Sequence, residues 1–267
     1  MEKRCIITKR GTVYYWTNEN QRKKSIMFTH GVTGDHTLFQ KQIEYWSKEY
    51  HVIIWDMPLH GESRPYKDFS FANAAEDMKA ILDQEGIEHS IMAAHSAGGY
   101  AAQAFAQKYP HSVEAFIGID TTPFGSKYYK KSELFWTNHY SDIAKWYPYN
   151  LYCKLAAKAV SFTKESYLTL YDCLVRLGKQ GMLVSADAVY KDFPNYQEVD
   201  FKCPVLLLLG ENDKLGYIKK YNLMWTKETG YPLIIIPNAS HNSHYDNYEE
   251  VNRVIYEFLQ RTSNYSG

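Results

Sequence analysis

A lone serine, Ser96, stands where an apolar run, Ile91 to Ala94, gives way to the very small residues Ala97, Gly98 and Gly99. A serine hydroxyl is a weak nucleophile at neutral pH. It attacks a carbonyl only where a base takes its proton and donors stabilise the oxyanion that forms. Ile91 to Ala94 reads as a buried parallel strand and Ala97 to Tyr109 as a helix, which leaves Ser96 on the turn between them. Ala94 and Gly98 fill the two small positions of a G-x-S-x-G pattern, with alanine for the first glycine, and Gly99 lets the helix start close to the sheet. Serine is also a favoured helix cap, so this stretch alone fits an ordinary strand-to-helix turn equally well.

The remaining parts of an acyl-transfer site decide between the two. Among ten histidines, His241 follows the apolar strand Leu233 to Ile236 in the loop Pro237-Asn-Ala-Ser-His241, and His244 comes three residues later. His241 is preferred as the base because it follows the strand sooner. An H-x-x-H pair also suits a metal, but no H-E-x-x-H helix or neighbouring cysteine supports one, and no metal is expected. For the acid that orients the imidazole, Asp213 lies in Gly210-Glu-Asn-Asp213 after strand Val205 to Leu209, with Glu211 and Asp120 as rivals. Asp213 is favoured by the chain order Ser, Asp, His. The turn His30-Gly31-Val32-Thr33-Gly34 follows strand Ser25 to Thr29, so the N–H groups of Val32 and Ala97 are the expected oxyanion donors. His30, Gly31, His95 and Gly98 are expected to support the site, and the loop Asp56 to Ser63 to play a structural part.

These residues need a scaffold, and the order of elements predicts one. Arg4 to Thr8 and Thr12 to Trp16 flank a glycine turn as a hairpin. Strands Ser25 to Thr29, Val52 to Trp55, Ile91 to Ala94, Ala115 to Ile119, Val205 to Leu209 and Leu233 to Ile236 then alternate with helices near 38–48, 73–84, 97–109, 218–229 and 248–261. This is an α/β chain with a doubly wound, mostly parallel, eight-stranded sheet, in which ligands bind beyond the carboxyl ends of the strands. Residues 121–200 break the rhythm with helical patterning and a crowd of aromatics, so they read as a helical cap inserted after the sixth strand; 1–120 and 201–267 form the core. Most of these aromatics are expected to build the cap's own core. Phe124, Trp136 and Trp146 are expected to face a cleft below it.

Composition narrows the partners. The 267 residues carry 30 Lys plus Arg and 30 Asp plus Glu, so no basic field exists to hold nucleic acid or an anionic membrane. No segment approaches a membrane span and the N-terminus lacks a signal-peptide apolar stretch, so a soluble, cytoplasmic protein is expected. Cys5, Cys153, Cys173 and Cys203 are scattered and read as reduced packing residues.

Taken together, His30-Gly31, the D-x-P-x-H-G-x-S loop at Asp56 to Ser63, the elbow at Ala94 to Gly98, Gly210 to Asp213 and His241 resemble, in this order and over the whole chain, the α/β-hydrolase superfamily. The likeness is to its capped, cofactor-free, carboxylesterase-like branch. Departures are Ala94 for a glycine and Leu59 where the loop often has glycine; neither removes a catalytic atom. The resemblance implies a serine hydrolase that cleaves a small or medium carboxylic ester through an acyl-enzyme, with Ser96, His241 and Asp213 as triad and no cofactor. A lactonase, thioesterase, amidase or C–C bond hydrolase would use the same groups, and a non-catalytic ligand receptor is the alternative from another class. The expected partner is a small-molecule substrate, with a homodimer left open.

Overall fold

The computed structural model describes residues 1–18 and 23–263. Eight strands form one open sheet: β1 (Glu2–Ile7), β2 (Thr12–Thr17), β3 (Ser25–Thr29), β4 (His51–Trp55), β5 (Ser90–His95), β6 (Val113–Ile119), β7 (Val205–Gly210) and β8 (Leu233–Ile236). Their spatial order is β1-β2-β4-β3-β5-β6-β7-β8; β1 and β2 are antiparallel and β4, β3 and β5 to β8 run parallel. The near-continuous apolar runs have a direct cause: every residue of β3, β4, β5 and β7 is buried, because helices cover both faces.

Alternate residues of each strand feed different layers. Met27, Ile53, Met92, Phe116 and Leu207 pack with helices α2 (Phe71–Gln84) and α3 (Gly98–Lys108). Ile26, Ile54, Ile91, Ile117 and Leu206 pack with α1 (Gln40–Trp46) and, beyond it, with the last helix (Tyr248–Ser263). The helix expected over 38–48 is split. Asp35 accepts from the Thr37 N–H at 3.0 Å and starts a short 3-10 turn, His36–Phe39, before α1 begins. Ser70 caps α2 in the same way, accepting from the Asn73 N–H at 3.0 Å, and so starts that helix two residues before the expected position.

Between β6 and β7 come α4 (Lys131–Asn138), α5 (Tyr140–Ala144), α6 (Tyr149–Val160) and α7 (Lys164–Asp192). Their apolar residues do not build a large core of their own. The separate cluster is small, centred on Ala144, Leu177 and Met182. Cys153, Ala157, Leu170 and Leu174 instead join one layer of the main core, and Phe124, Val189 and Phe193 join the other. A segment this short gains more burial by packing onto the sheet's helices than by closing on itself. α7 is interrupted at Gly178 (φ 74, ψ 163), where Arg64 of the core donates to the Leu177 carbonyl at 2.7 Å. The chain ends in α8 (Ile218–Thr229), the short α9 (Ser243–Asp246) and α10 (Tyr248–Ser263). No described helix is long and apolar enough to cross a membrane. The four cysteines are free thiols.

Candidate active site

Ser96 follows β5 with φ 50, a left-handed conformation that costs a non-glycine residue roughly 1–2 kcal/mol. Three bonds hold it there. Its N–H donates to the Ile119 carbonyl at 2.9 Å, and its carbonyl accepts from the Gly99 N–H at 2.9 Å and from Thr121 Oγ1 at 2.8 Å. The glycines after it are needed for space: a Cβ on Gly98 would lie 2.4 Å from the His30 carbonyl oxygen, and one on Gly99 2.1 Å from Thr121 Oγ1. The tight turn turns the hydroxyl toward the ends of β7 and β8.

There Ser96 Oγ lies 2.9 Å from His241 Nε2, and His241 Nδ1 lies 2.8 Å from Asp213 Oδ2. Asp213 is itself fixed, its Oδ1 accepting from the Leu215 N–H at 2.9 Å. Burial by itself pushes the His241 imidazole toward its neutral form, but the charge and hydrogen bond of Asp213, with Asp120 adding, raise its pKa above the ordinary value. The rival carboxylates stand elsewhere. Glu211 accepts from the Asn238 N–H at 3.2 Å at the exposed side of its loop. Asp120 is fully buried and braces the site from behind: Oδ1 accepts from the Gly210 N–H at 2.7 Å, and Oδ2 from the Ser243 N–H at 3.0 Å and the Ser243 hydroxyl at 2.5 Å. Burial first, then the nearby Asp213 charge, raises the Asp120 pKa.

The loop carrying His241 is tied on two sides. His95 Nε2 donates to the His241 carbonyl at 2.8 Å, and burial lowers the His95 pKa, keeping the ring neutral. On the other side the Asn242 N–H donates to the Val160 carbonyl at 2.9 Å. Asp246 collects the N–H groups of Ser240, Phe162 and Thr163 at 2.9–3.0 Å. His244 is buried, stacked on Phe39 at 4.5 Å, and burial lowers its pKa to about 3. His95, Asp120 and His244 bring potential metal ligands within 4.8 Å of one another. The Asp120 oxygens already accept three donors and His95 Nε2 is engaged in bracing the loop, while His95 Nδ1 and both His244 ring nitrogens have no hydrogen-bond partner among the described residues.

The N–H groups of Val32 and Ala97, the expected oxyanion donors, have no protein acceptor among the described residues. Ala97 opens α3, where the helix dipole favours negative charge. His30 fixes the turn before Val32: its Nε2 accepts from the Met57 N–H at 3.0 Å, which leaves Nδ1 to donate to the Gly31 carbonyl at 2.8 Å. Asp56, fully buried, accepts from the N–H groups of His36 at 2.8 Å and Glu62 at 2.7 Å, shaping the loop that follows β4.

Above Ser96 opens a cavity of about 710 Å³. Two helical stripes line it. Tyr140, Ile143, Ala144 and Tyr147 recur at i, i+3, i+4 and i+7 from α5 onward, and Tyr152, Leu155, Ala156, Ala159 and Val160 continue the spacing on α6. Trp136 lies on the rim, 62% exposed. Phe124 lies elsewhere, fully buried and stacked on Tyr196 at 4.6 Å, and Trp146 projects away from the cavity, 81% exposed. Neither of these two lines the cavity, because a single aromatic's direction depends on the rotation of its helix or loop. The tyrosines that do line it were signalled by the stripe spacing rather than by aromatic content.

Residues 24–248 match the sequence profile described as "alpha/beta hydrolase fold". A 2-(acetamidomethylene)succinate hydrolase of Mesorhizobium japonicum is 25% identical over 231 residues, 81% of each chain. An sn-1-specific diacylglycerol lipase of Mus musculus is 25% identical over 248 residues, covering 88% of this chain and 80% of its own. Among solved structures, a thermophilic esterase from Thermogutta terrifontis superposes with a TM-score of 0.80 at 18% identity, covering 98% of this chain and 99% of that one.

Proposed function

We propose that this chain, which belongs to the alpha/beta hydrolase fold family, is a serine hydrolase that cleaves a small or medium carboxylic ester through a covalent acyl-enzyme. The observation that carries the reading is the relay from Ser96 Oγ through both imidazole nitrogens of His241 to Asp213, with contacts of 2.9 and 2.8 Å. Ser96 Oγ attacks the ester carbonyl while Nε2 accepts its proton, and Asp213 holds Nδ1–H and stabilises the imidazolium. The Val32 and Ala97 N–H groups donate to the tetrahedral oxyanion. Nε2–H then protonates the departing alkoxide. In the second half Nε2 takes a proton from water, the hydroxide attacks the acyl carbon, and Ser96 leaves with its proton restored. These steps call on no metal or organic cofactor, and residues 121–200 serve as the cap that encloses the acyl group.

The relatives named for a succinate hydrolase and a diacylglycerol lipase differ widely in substrate, and fold does not choose between them. The apolar stripes above Ser96 support an ester with a hydrocarbon part. Lactones, thioesters, amides and C–C substrates would use the same groups. The test is hydrolysis of p-nitrophenyl butyrate and labelling by a fluorophosphonate. Native protein is expected to turn over the ester and take label on Ser96, and Ser96→Ala to lose activity by on the order of a millionfold. Undiminished activity in Ser96→Ala would overturn the nucleophile; a native protein that neither labels nor hydrolyses would favour a ligand receptor.

A further inference from the structure

We infer that the cavity above Ser96 selects an uncharged, apolar acyl chain and rejects one that carries a carboxylate, an inference that rests on the serine-hydrolase reading. Among the described residues, no lysine, arginine, aspartate or glutamate lines the cavity. Its wall is made of Leu155, Ala156, Val160, Leu170 and Ala186, closed by tyrosine rings. The polar atoms inside are few and partly matched to each other, since the Tyr140 and Tyr152 hydroxyls lie 2.6 Å apart.

Lys154 and Lys158 of α6 are exposed and do not line the cavity, and other nearby cations are already bound to other groups. Arg176 forks onto Asp35 Oδ2 at 2.7 and 3.1 Å, and Arg64 is spent on the Leu177 carbonyl. Lys145 pairs with Asp142 at 3.0 Å and Lys191 with Asp187 at 2.8 Å. A carboxylate drawn into this space would give up its water with no counter-charge to replace it, the costliest form of burial. A hydrocarbon chain meets the opposite situation, gaining with every methylene removed from water.

Leu155 is the position that tests the cause. It lines the cavity yet is half exposed, so a long cationic side chain fits there without entering the core. kcat/KM is measured for p-nitrophenyl acetate, butyrate and hexanoate, for mono-p-nitrophenyl adipate, and for the methyl ester of that adipate. The native enzyme is expected to gain about fourfold per methylene from acetate to hexanoate. The free adipate should fall about 100-fold below hexanoate and its methyl ester should recover most of that loss. Leu155→Arg should narrow the adipate gap at least tenfold. An adipate gap under tenfold in the native enzyme, or equal rates on acetate and hexanoate, overturns the inference.

Failure of the serine-hydrolase reading looks different: the esters are not turned over, or Ser96→Ala turns them over as well as the native protein. The subsite is then read by calorimetry on Ser96→Ala. Binding of hexanamide but not adipate supports the selection, and equal binding of the two overturns it.

Discussion

Replacing Asp213 by asparagine changes one atom, and the structure fixes what that atom does. Asp213 Oδ1 accepts from the Leu215 N–H at 2.9 Å while Oδ2 faces His241 Nδ1 at 2.8 Å. In Asp213→Asn the Leu215 N–H retains the amide oxygen on its own side, so the amide NH2 is turned toward Nδ1 and donates to it. Nδ1 must then be the bare nitrogen and the ring proton moves to Nε2. In that tautomer Nε2, 2.9 Å from Ser96 Oγ, has no lone pair to accept the hydroxyl proton. The expected loss is about 10⁴ in kcat, or about 5.5 kcal/mol of transition-state stabilisation. The control is Asp120→Asn, whose oxygens touch Gly210 and Ser243 and not the imidazole. It should cost stability, about 1–3 kcal/mol for one mismatched buried contact, but far less activity. The assay is p-nitrophenyl butyrate turnover at pH 8 with fluorophosphonate labelling and thermal unfolding on the same samples. Asp213→Asn retaining activity within tenfold of native at unchanged unfolding temperature would refute the tautomer argument, and a larger loss in Asp120→Asn would transfer the acid's role to that residue.

Four further outcomes follow from particular residues. On the proposed mechanism His241 must be unprotonated to act, and its pKa lies above the ordinary 6.5, so a pH–rate profile should show kcat/KM falling on the acid side through a midpoint above that value. A raised histidine contributes stability fully present below 6.5 and lost as pH rises through the folded-state value, which unfolding at a series of pH values will show as a decline on the alkaline side. In Gly31→Ala the new methyl would stand 2.8 Å from Ser96 Cβ and 3.0 Å from His95 Nδ1, so kcat should drop by at least about tenfold with KM nearly constant; unchanged kcat would mean that the oxyanion turn yields freely. Gly178→Ala meets no atom within 4 Å, so its expected loss of about 1–3 kcal/mol in denaturant unfolding comes from the backbone conformation alone (φ 74, ψ 163).

The sheet was legible because burial on both faces writes itself into the strands: Ser25–Thr29, His51–Trp55 and Val205–Gly210 are buried throughout and read as short apolar runs. The convergence of Ser96, Asp213 and His241 was legible for a related reason, since each lies in the loop beyond the carboxyl end of an apolar strand and a parallel sheet gathers those ends at one edge. The division at the start of α1 was not, because the Asp35 cap competes with a helical pattern that continues through it. The pairing of Asp35 with Arg176 had no local signal, as the partners lie 141 residues apart. Which aromatics of the 121–200 segment face the cavity was readable only from the spacing of Tyr140, Ile143, Ala144 and Tyr147, not from their abundance; Phe124 and Trp146 show the difference.

The ties between the α6–α7 turn and the loop after β8 have a practical consequence for anyone rebuilding this protein. The Asn242 N–H, one residue from the imidazole, donates to the Val160 carbonyl, and the Phe162 and Thr163 N–H groups donate to the Asp246 carboxylate. A chimera that imports a foreign roof must therefore carry both halves of this seam from the same parent, or the imidazole will be delivered out of register with the Ser96 hydroxyl. Exchanges confined to 131–159 leave the seam whole, which makes that stretch the natural cassette for retargeting the pocket while the chemistry beneath it stays in place.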